Sequence, residues 1–157
     1  MSEPYTEILE NIAVNRLAPG ARHELICERL HRCVQETIAN FPGTRLLMPR
    51  TEIRLSREST IRPDLALVAT ATNKLWLAAE IVSANDHQTD TVVKKQIYED
   101  FKLPRLWMID PRYDNIEVYH GTEFGLSLKG ILAGRETLTE KLLPTFQLVV
   151  ADLFKAD

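Results

Sequence analysis

Three groups stand out by type and spacing: Pro63-Asp64, then Glu80 closing an apolar run, then Lys94 inside a helical pattern. Two carboxylates at the ends of neighbouring strands can grip a hard cation, and a nearby ammonium can serve a charged transition state. Metal-assisted hydrolysis of a phosphodiester uses those groups. Magnesium keeps several of its waters, so Asp64, Glu80 and the backbone carbonyl of Ile81 would leave room for water and a phosphate. Each acid also has a plainer reading. Asp64 can simply begin a strand after a proline, and Glu80 can be a surface acid at a strand end. Within Ala78-Ala79-Glu80-Ile81-Val82, however, an isolated charge is costly unless it is paired or bound to metal.

Lys94 lies four residues after Asp90 and four before Tyr98, so the three share one helix face. An ammonium there would stabilise a pentavalent phosphate or orient the attacking water. The plain alternative is a surface Asp90–Lys94 pair, with Tyr98 as packing. Lys95 points about 100° away. His23, His31, His87 and His120 form no metal-ligand spacing. His23 and Glu24 open a helix, where either touches the site or merely caps and solvates the helix start. Ser83 lacks the GxSxG elbow of serine hydrolases.

The elements that must position these groups follow from periodicity. The opening, Glu7 to Leu17, reads as a short strand or hairpin. After the Pro19-Gly20 turn, Ile26, Leu30, Cys33, Val34, Thr37 and Ile38 mark a helix over about Ala21 to Ala39. Glu52 to Ser56 alternates like a half-buried strand. Asp64 to Val68 and Leu75 to Ser83 are apolar runs joined by a short polar turn, hence an antiparallel pair. The start of one such strand lies beside the end of the other, which brings Asp64 towards Glu80. A helix over about Thr89 to Lys102 follows, with Asp90 at its N-cap or first turn and Val93, Ile97 and Phe101 as its buried stripe. Leu106 to Ile109 is the next buried strand, parallel to 75–83 across that crossover. Ile116 to Tyr119 pairs antiparallel with it. Phe124 to Lys129 and Glu136 to Leu138 look like edge strands, and Phe146 to Val150 is a strand or the start of a last short helix. The expectation is an α/β protein with a mixed sheet and one helix at each side, in a single domain over residues 1–157. No GxGxxG or P-loop lysine motif supports nucleotide binding.

Composition sets the outer bounds. A chain of 157 residues with 45% hydrophobic and 26% charged content suits a soluble domain. It has no run of membrane-spanning length and no secretory leader pattern, so the cytoplasm is expected. Cys27 and Cys33 differ by about 600° around a helix and have no CxxC spacing, which reads as two reduced residues. The net charge of −3 disfavours nonspecific coating of nucleic acid. The charge is uneven, with nine arginines against five acids between Arg16 and Arg62, and eight acids against five bases from Asp110 onward. A basic face and a scatter of solvated arginines are both compatible with that.

In order along the chain, Pro63-Asp64, Glu80-Ile81-Val82-Ser83, the Asp90, Lys94 and Tyr98 spacing, Pro104 to Pro111, and Ile116 to Tyr119 form one pattern. With Pro19 to Glu24 and Leu142-Leu143-Pro144, it resembles the Uma-two family of restriction endonucleases in the PD-(D/E)XK nuclease superfamily. The likeness covers most of residues 19 to 154. It implies a restriction-endonuclease-like fold, a magnesium or manganese ion and DNA as substrate, and it allows a homodimer. By position, Asp64 and Glu80 match the metal-binding acids. The superfamily lysine usually follows the acid by two places, where this chain has Val82. The family supplies it from the helix, which matches Lys94. Lys102-Leu103 replaces the usual Gly-Val.

Three readings remain at this point. The first is an endonuclease with Asp64 and Glu80 on the metal, Lys94 at the transition state and arginines on phosphates. The second is a catalytically silent DNA-binding or accessory module of the same fold. The third is an interaction domain whose acids only cap strands, which requires Asp64 and Glu80 to lie far apart.

Overall fold

The computed structural model describes residues 2–156. Its centre is a six-stranded sheet, formed because three segments have no polar side to show to water. β6 (Leu65–Ala69), β7 (Leu75–Ile81) and β8 (Arg105–Asp110) are buried nearly throughout, so both faces must be covered. β6 and β7 pair antiparallel, β7 and β8 parallel, and β8 pairs antiparallel with β9 (Asn115–Thr122). Short turns and one helical crossover require that pattern. At the edges, β3 (Thr44–Leu46) flanks β6 and β10 (Gly125–Ala133) flanks β9. β3 has no counterpart in the sequence reading, since three residues after Phe41-Pro42-Gly43 carry too little periodicity.

Side-chain alternation sorts the sheet into two faces. Leu65, Leu67, Leu77, Ala79, Trp107 and Ile109 point to one core, where α1 (Ala21–Ile38) lays Ile26, Leu30 and Val34. β11 (Thr137–Glu140), β12 (Leu143–Val149) and α3 (Val150–Phe154) complete that layer, with Phe146 stacked on Trp107 at 5.3 Å between ring centroids. Ala66, Val68, Ala78, Val82, Leu106 and Met108 point the other way, to a core shared with Ile97 and Tyr98 of α2 (Lys95–Phe101). Glu80, between Ala78 and Val82, falls on this second face. A small sheet helps to cover it: β1 (Tyr5–Leu9), β2 (Ile12–Arg16), β4 (Ile53–Arg54) and β5 (Thr60–Ile61), in the order β2-β1-β5-β4. Glu10 and Asn11, at φ 51° and 69°, make the two-residue β1–β2 turn. Positive φ at both positions suits the twist of the strands.

The mixed sheet with a helix on each side is the architecture expected from the sequence. Several details differ. Of the expected edge strand at Glu136 to Leu138, Thr137 and Leu138 belong to β11, in a separate two-stranded sheet with β12 rather than at an edge of the main one. The two alternatives for Phe146 to Val150 occur in succession, strand to Val149 and helix from Val150. The crossover helix opens as a π-helical turn, Thr89–Lys94, before α2 begins. Its inner face is also not the apolar stripe. Val93 is 37% exposed and Phe101 is half-buried, while Asp90, Lys94 and Tyr98 are buried with Ile97. The polar row can turn inward because each of its groups meets a buried partner. Of the two positions expected for Asp90, the structure has the first turn, with Gln88 at the cap position. Among the described residues, no helix is long and apolar enough to cross a membrane.

Candidate active site

The antiparallel register sets Leu65 opposite Ala79, so Asp64 stands alongside Glu80. Pro63 holds Asp64 just ahead of β6, and the side chain is almost fully buried. Its Oδ2 accepts the Ile81 N–H at 2.8 Å, which ties it to the residue following Glu80. Its Oδ1 meets Arg50 Nη1 at 2.8 Å and His23 Nε2 at 2.9 Å. Burial alone would raise its pKa, but the His23 hydrogen bond and charge, the Ile81 amide and Arg50 together pull it down to about 2. The backbone carbonyl of Asp64 accepts from His31 Nε2 at 2.7 Å, and burial holds that imidazole below its ordinary pKa.

Glu80 is enclosed on the second face of the sheet, with Ala78 and Val82. Lys94 Nζ lies 2.7 Å from its Oε2, and the Tyr98 hydroxyl donates to the same oxygen. Burial drives its pKa up to about 8; Lys94 opposes this, while Glu7, Asp64 and Asp90 add to it. Lys94 is itself fully buried, yet the adjoining carboxylates of Glu80, Glu7 and Asp90 outweigh burial and raise its pKa. It is therefore an ammonium, able to stabilise negative charge and not able to take up a proton.

Two participants have no counterpart among the sequence candidates. Glu7 of β1 is fully buried, and its Oε2 accepts from Lys94 Nζ at 2.7 Å and from the Arg62 N–H at 2.7 Å. Arg16, ending β2, gives one guanidinium nitrogen to Glu7 at 2.7 Å and another to Asp90 at 2.8 Å, with its Nε 3.3 Å from Asp86. Asp90 closes the chain by accepting the Ser83 N–H at 2.8 Å. The signal for Glu7 was present: in Tyr5–Leu9, Glu7 and Leu9 share the inward face.

The structure thus brings Glu80 and Lys94 into contact and joins Asp64 to them through Ile81. His23 reaches Asp64, and Glu24 reaches it at one remove, through Arg50 at 2.6 Å. Lys95 instead lies over the Tyr119 ring at 4.7 Å. Ile81 engages Asp64 by its N–H. Among the described residues, no three His, Cys, Asp or Glu side chains cluster as a ready-made metal cage. Magnesium does not need one, because it is commonly held by one or two carboxylates and its own waters. Glu80 carries a pKa raised by burial and by three neighbouring acids, and its carboxyl is engaged by Lys94 and Tyr98.

The fold has a solved counterpart. The crystal structure of a putative nuclease belonging to DUF820, from Anabaena variabilis ATCC 29413, superposes with a TM-score of 0.80 at 15% identity, over 98% of this chain and 91% of that one. Among curated proteins no sequence matches. The family profile described as "Putative restriction endonuclease", Uma2, matches residues 2–151, which include every group of the acid–lysine network. On that match, the chain belongs to the Uma2 family.

Proposed function

We propose that this protein is a metal-dependent DNA endonuclease that hydrolyses phosphodiester bonds. The observation that carries the reading is the fully buried ammonium of Lys94 set 2.7 Å from Glu80, at a strand end where Asp64 binds the very next amide. Asp64, Glu80 and the Ile81 carbonyl are the groups that would hold magnesium or manganese. When bound, such an ion acidifies water and neutralises charge on a phosphate. Lys94 stays protonated and offsets the negative charge that grows on the phosphoryl oxygens. Tyr98 and Glu7 fix the ammonium and the Glu80 carboxyl in place, and arginines of the first half of the chain meet flanking phosphates. A cytoplasmic homodimer of one-domain chains, one site per strand, completes this reading.

One observation favours the catalytically silent alternative: Asp64 is already bound by Arg50 and His23, and Glu80 by Lys94. Plasmid cleavage with magnesium or manganese separates the two. The nuclease reading expects metal-dependent nicking or linearisation, reduced about 100-fold or more in each of Asp64→Ala, Glu80→Ala and Lys94→Ala, with circular dichroism confirming that the variants fold. No cleavage of varied DNA, together with no heat of manganese binding by calorimetry, assigns the protein to the silent module.

A further inference from the structure

Beside the acids lies a cavity of about 460 Å³, bounded by the β1–β2 hairpin, the start of α1 and the loop after β7. Its size is within the roughly 300–1,000 Å³ of small-ligand pockets. It opens beyond the carboxyl ends of the parallel pair β7 and β8, where ligands of α/β sheets gather. His23 is on its wall and also touches Asp64, so an occupant adjoins the acid site.

The wall has two chemistries. Leu17, Pro19, Val82 and Pro111 give it an apolar side, and the Tyr5 ring adds an aromatic one. Arg22 and Arg112 stand at the polar side. Arg22 spends one nitrogen on Asp114 and another on the Phe154 carbonyl, and Arg112 binds Asp110 through Nε and Nη2. A guanidinium has five N–H donors, and among the described residues Nε of Arg22 and Nη1 of Arg112 have no partner, which suits them to a phosphate. Asn85 and Ser83 bring amide and hydroxyl groups suited to the edge of a base.

Resting on the nuclease reading, we propose that this cavity receives one unpaired nucleotide next to the scissile phosphate, at a strand end, in a gap or extruded from a duplex. An aromatic and apolar wall accepts the base, and the two arginines accept its phosphate. Enclosed sites of this size take a base out of the stack, whereas a paired base remains held by its complement. At −3 the chain has no net positive charge to drive nonspecific gripping of continuous duplex, which favours contacts concentrated where a single nucleotide enters.

The test is metal-free, which separates it from cleavage. Binding of a fluorescein-labelled single-stranded 12-mer, of the same 12-mer in a one-nucleotide gap and of the intact duplex is compared by anisotropy in EDTA. Single-strand and gapped probes carrying 2-aminopurine report base capture. Ala18→Trp and Ala84→Trp fill the cavity from two exposed positions on its rim. The proposal expects at least about tenfold tighter binding of single-stranded and gapped DNA than of duplex, a change in 2-aminopurine emission, and loss of both in either tryptophan variant. Equal binding of all three DNAs, or a preference untouched by both tryptophans, overturns it. Plasmid cleavage without this preference would retain the nuclease and discard the pocket; the preference without cleavage would retain the pocket as a nucleotide site on a silent module.

Discussion

Removing the Glu7 carboxylate leaves two buried cations short of an anion, and the cost can be worked from the contacts. Glu7 is fully buried and takes three hydrogen bonds, from Lys94, Arg16 and the Arg62 amide. Deleting one partner of a buried ion pair costs about 3–5 kcal/mol. Here Lys94 retains Glu80, and Arg16 retains Asp90 and Asp86, so Glu7→Ala falls near the lower end, about 3 kcal/mol. For a chain of this length that is a fall in Tm of about 6–12 °C. Glu7→Gln keeps an acceptor for the Arg62 amide and loses less, about 1–2 kcal/mol. Urea unfolding measures both, with the midpoint shifting at constant slope. A double-mutant cycle with Lys94→Met isolates the pair, and its coupling is expected at about 1–3 kcal/mol. A cost below about 1 kcal/mol for Glu7→Ala, or additivity with Lys94→Met within about 0.5 kcal/mol, refutes the view that Glu7 anchors the buried ammonium.

Asp64 governs the acid limb of stability. Its folded pKa of about 2 lies below the ordinary 3.8, so its contribution is complete above about pH 4 and disappears as pH falls through 2. It amounts to about 2 kcal/mol, and Asp64→Asn should flatten that part of the stability–pH curve; an unchanged acid limb by calorimetry would contradict it. Lys102, at φ 62° after α2, occupies a left-handed position that favours glycine. Lys102→Gly should gain about 0.5–1 kcal/mol in urea unfolding, and a lower midpoint would exclude backbone strain there.

What could be read in the sequence was local or set by simple pairing rules. The apolar runs at 65–68 and 75–82 and the helical crossover define the sheet's centre. The register of that centre brings Asp64 to the end of β7, and the four-residue spacing puts Lys94 and Tyr98 on one side of the helix. The inner face of that helix was not legible from hydrophobicity. Burial of Asp90 and Lys94 depends on Arg16, Glu7 and Glu80, and the Lys94–Glu7 contact spans 87 residues. No periodicity within the helix records a partner so far away. Alternation with Leu9 points Glu7 inward, but its pairing with Lys94 was hidden for the same reason, since its cation lies far along the chain. β3 and the β11–β12 pair were obscure because their partners, and not their own patterns, decide where they lie.

The ionic chain from Glu7 and Arg16 to Lys94 and Asp90 also dictates an order of assembly. The hairpin is made early in synthesis with Glu7 and Arg16 paired to each other, but their further partners, Lys94 and Asp90, come 74 to 87 residues later. Until that long loop closes, the Glu7–Arg16 pair stays hydrated, and burying it without Lys94 and Asp90 would oppose collapse. Contacts of such high order form slowly compared with neighbouring strands. The sheet and helices can therefore condense first, and the acid–lysine centre is completed as the final stitch between the beginning of the chain and its middle.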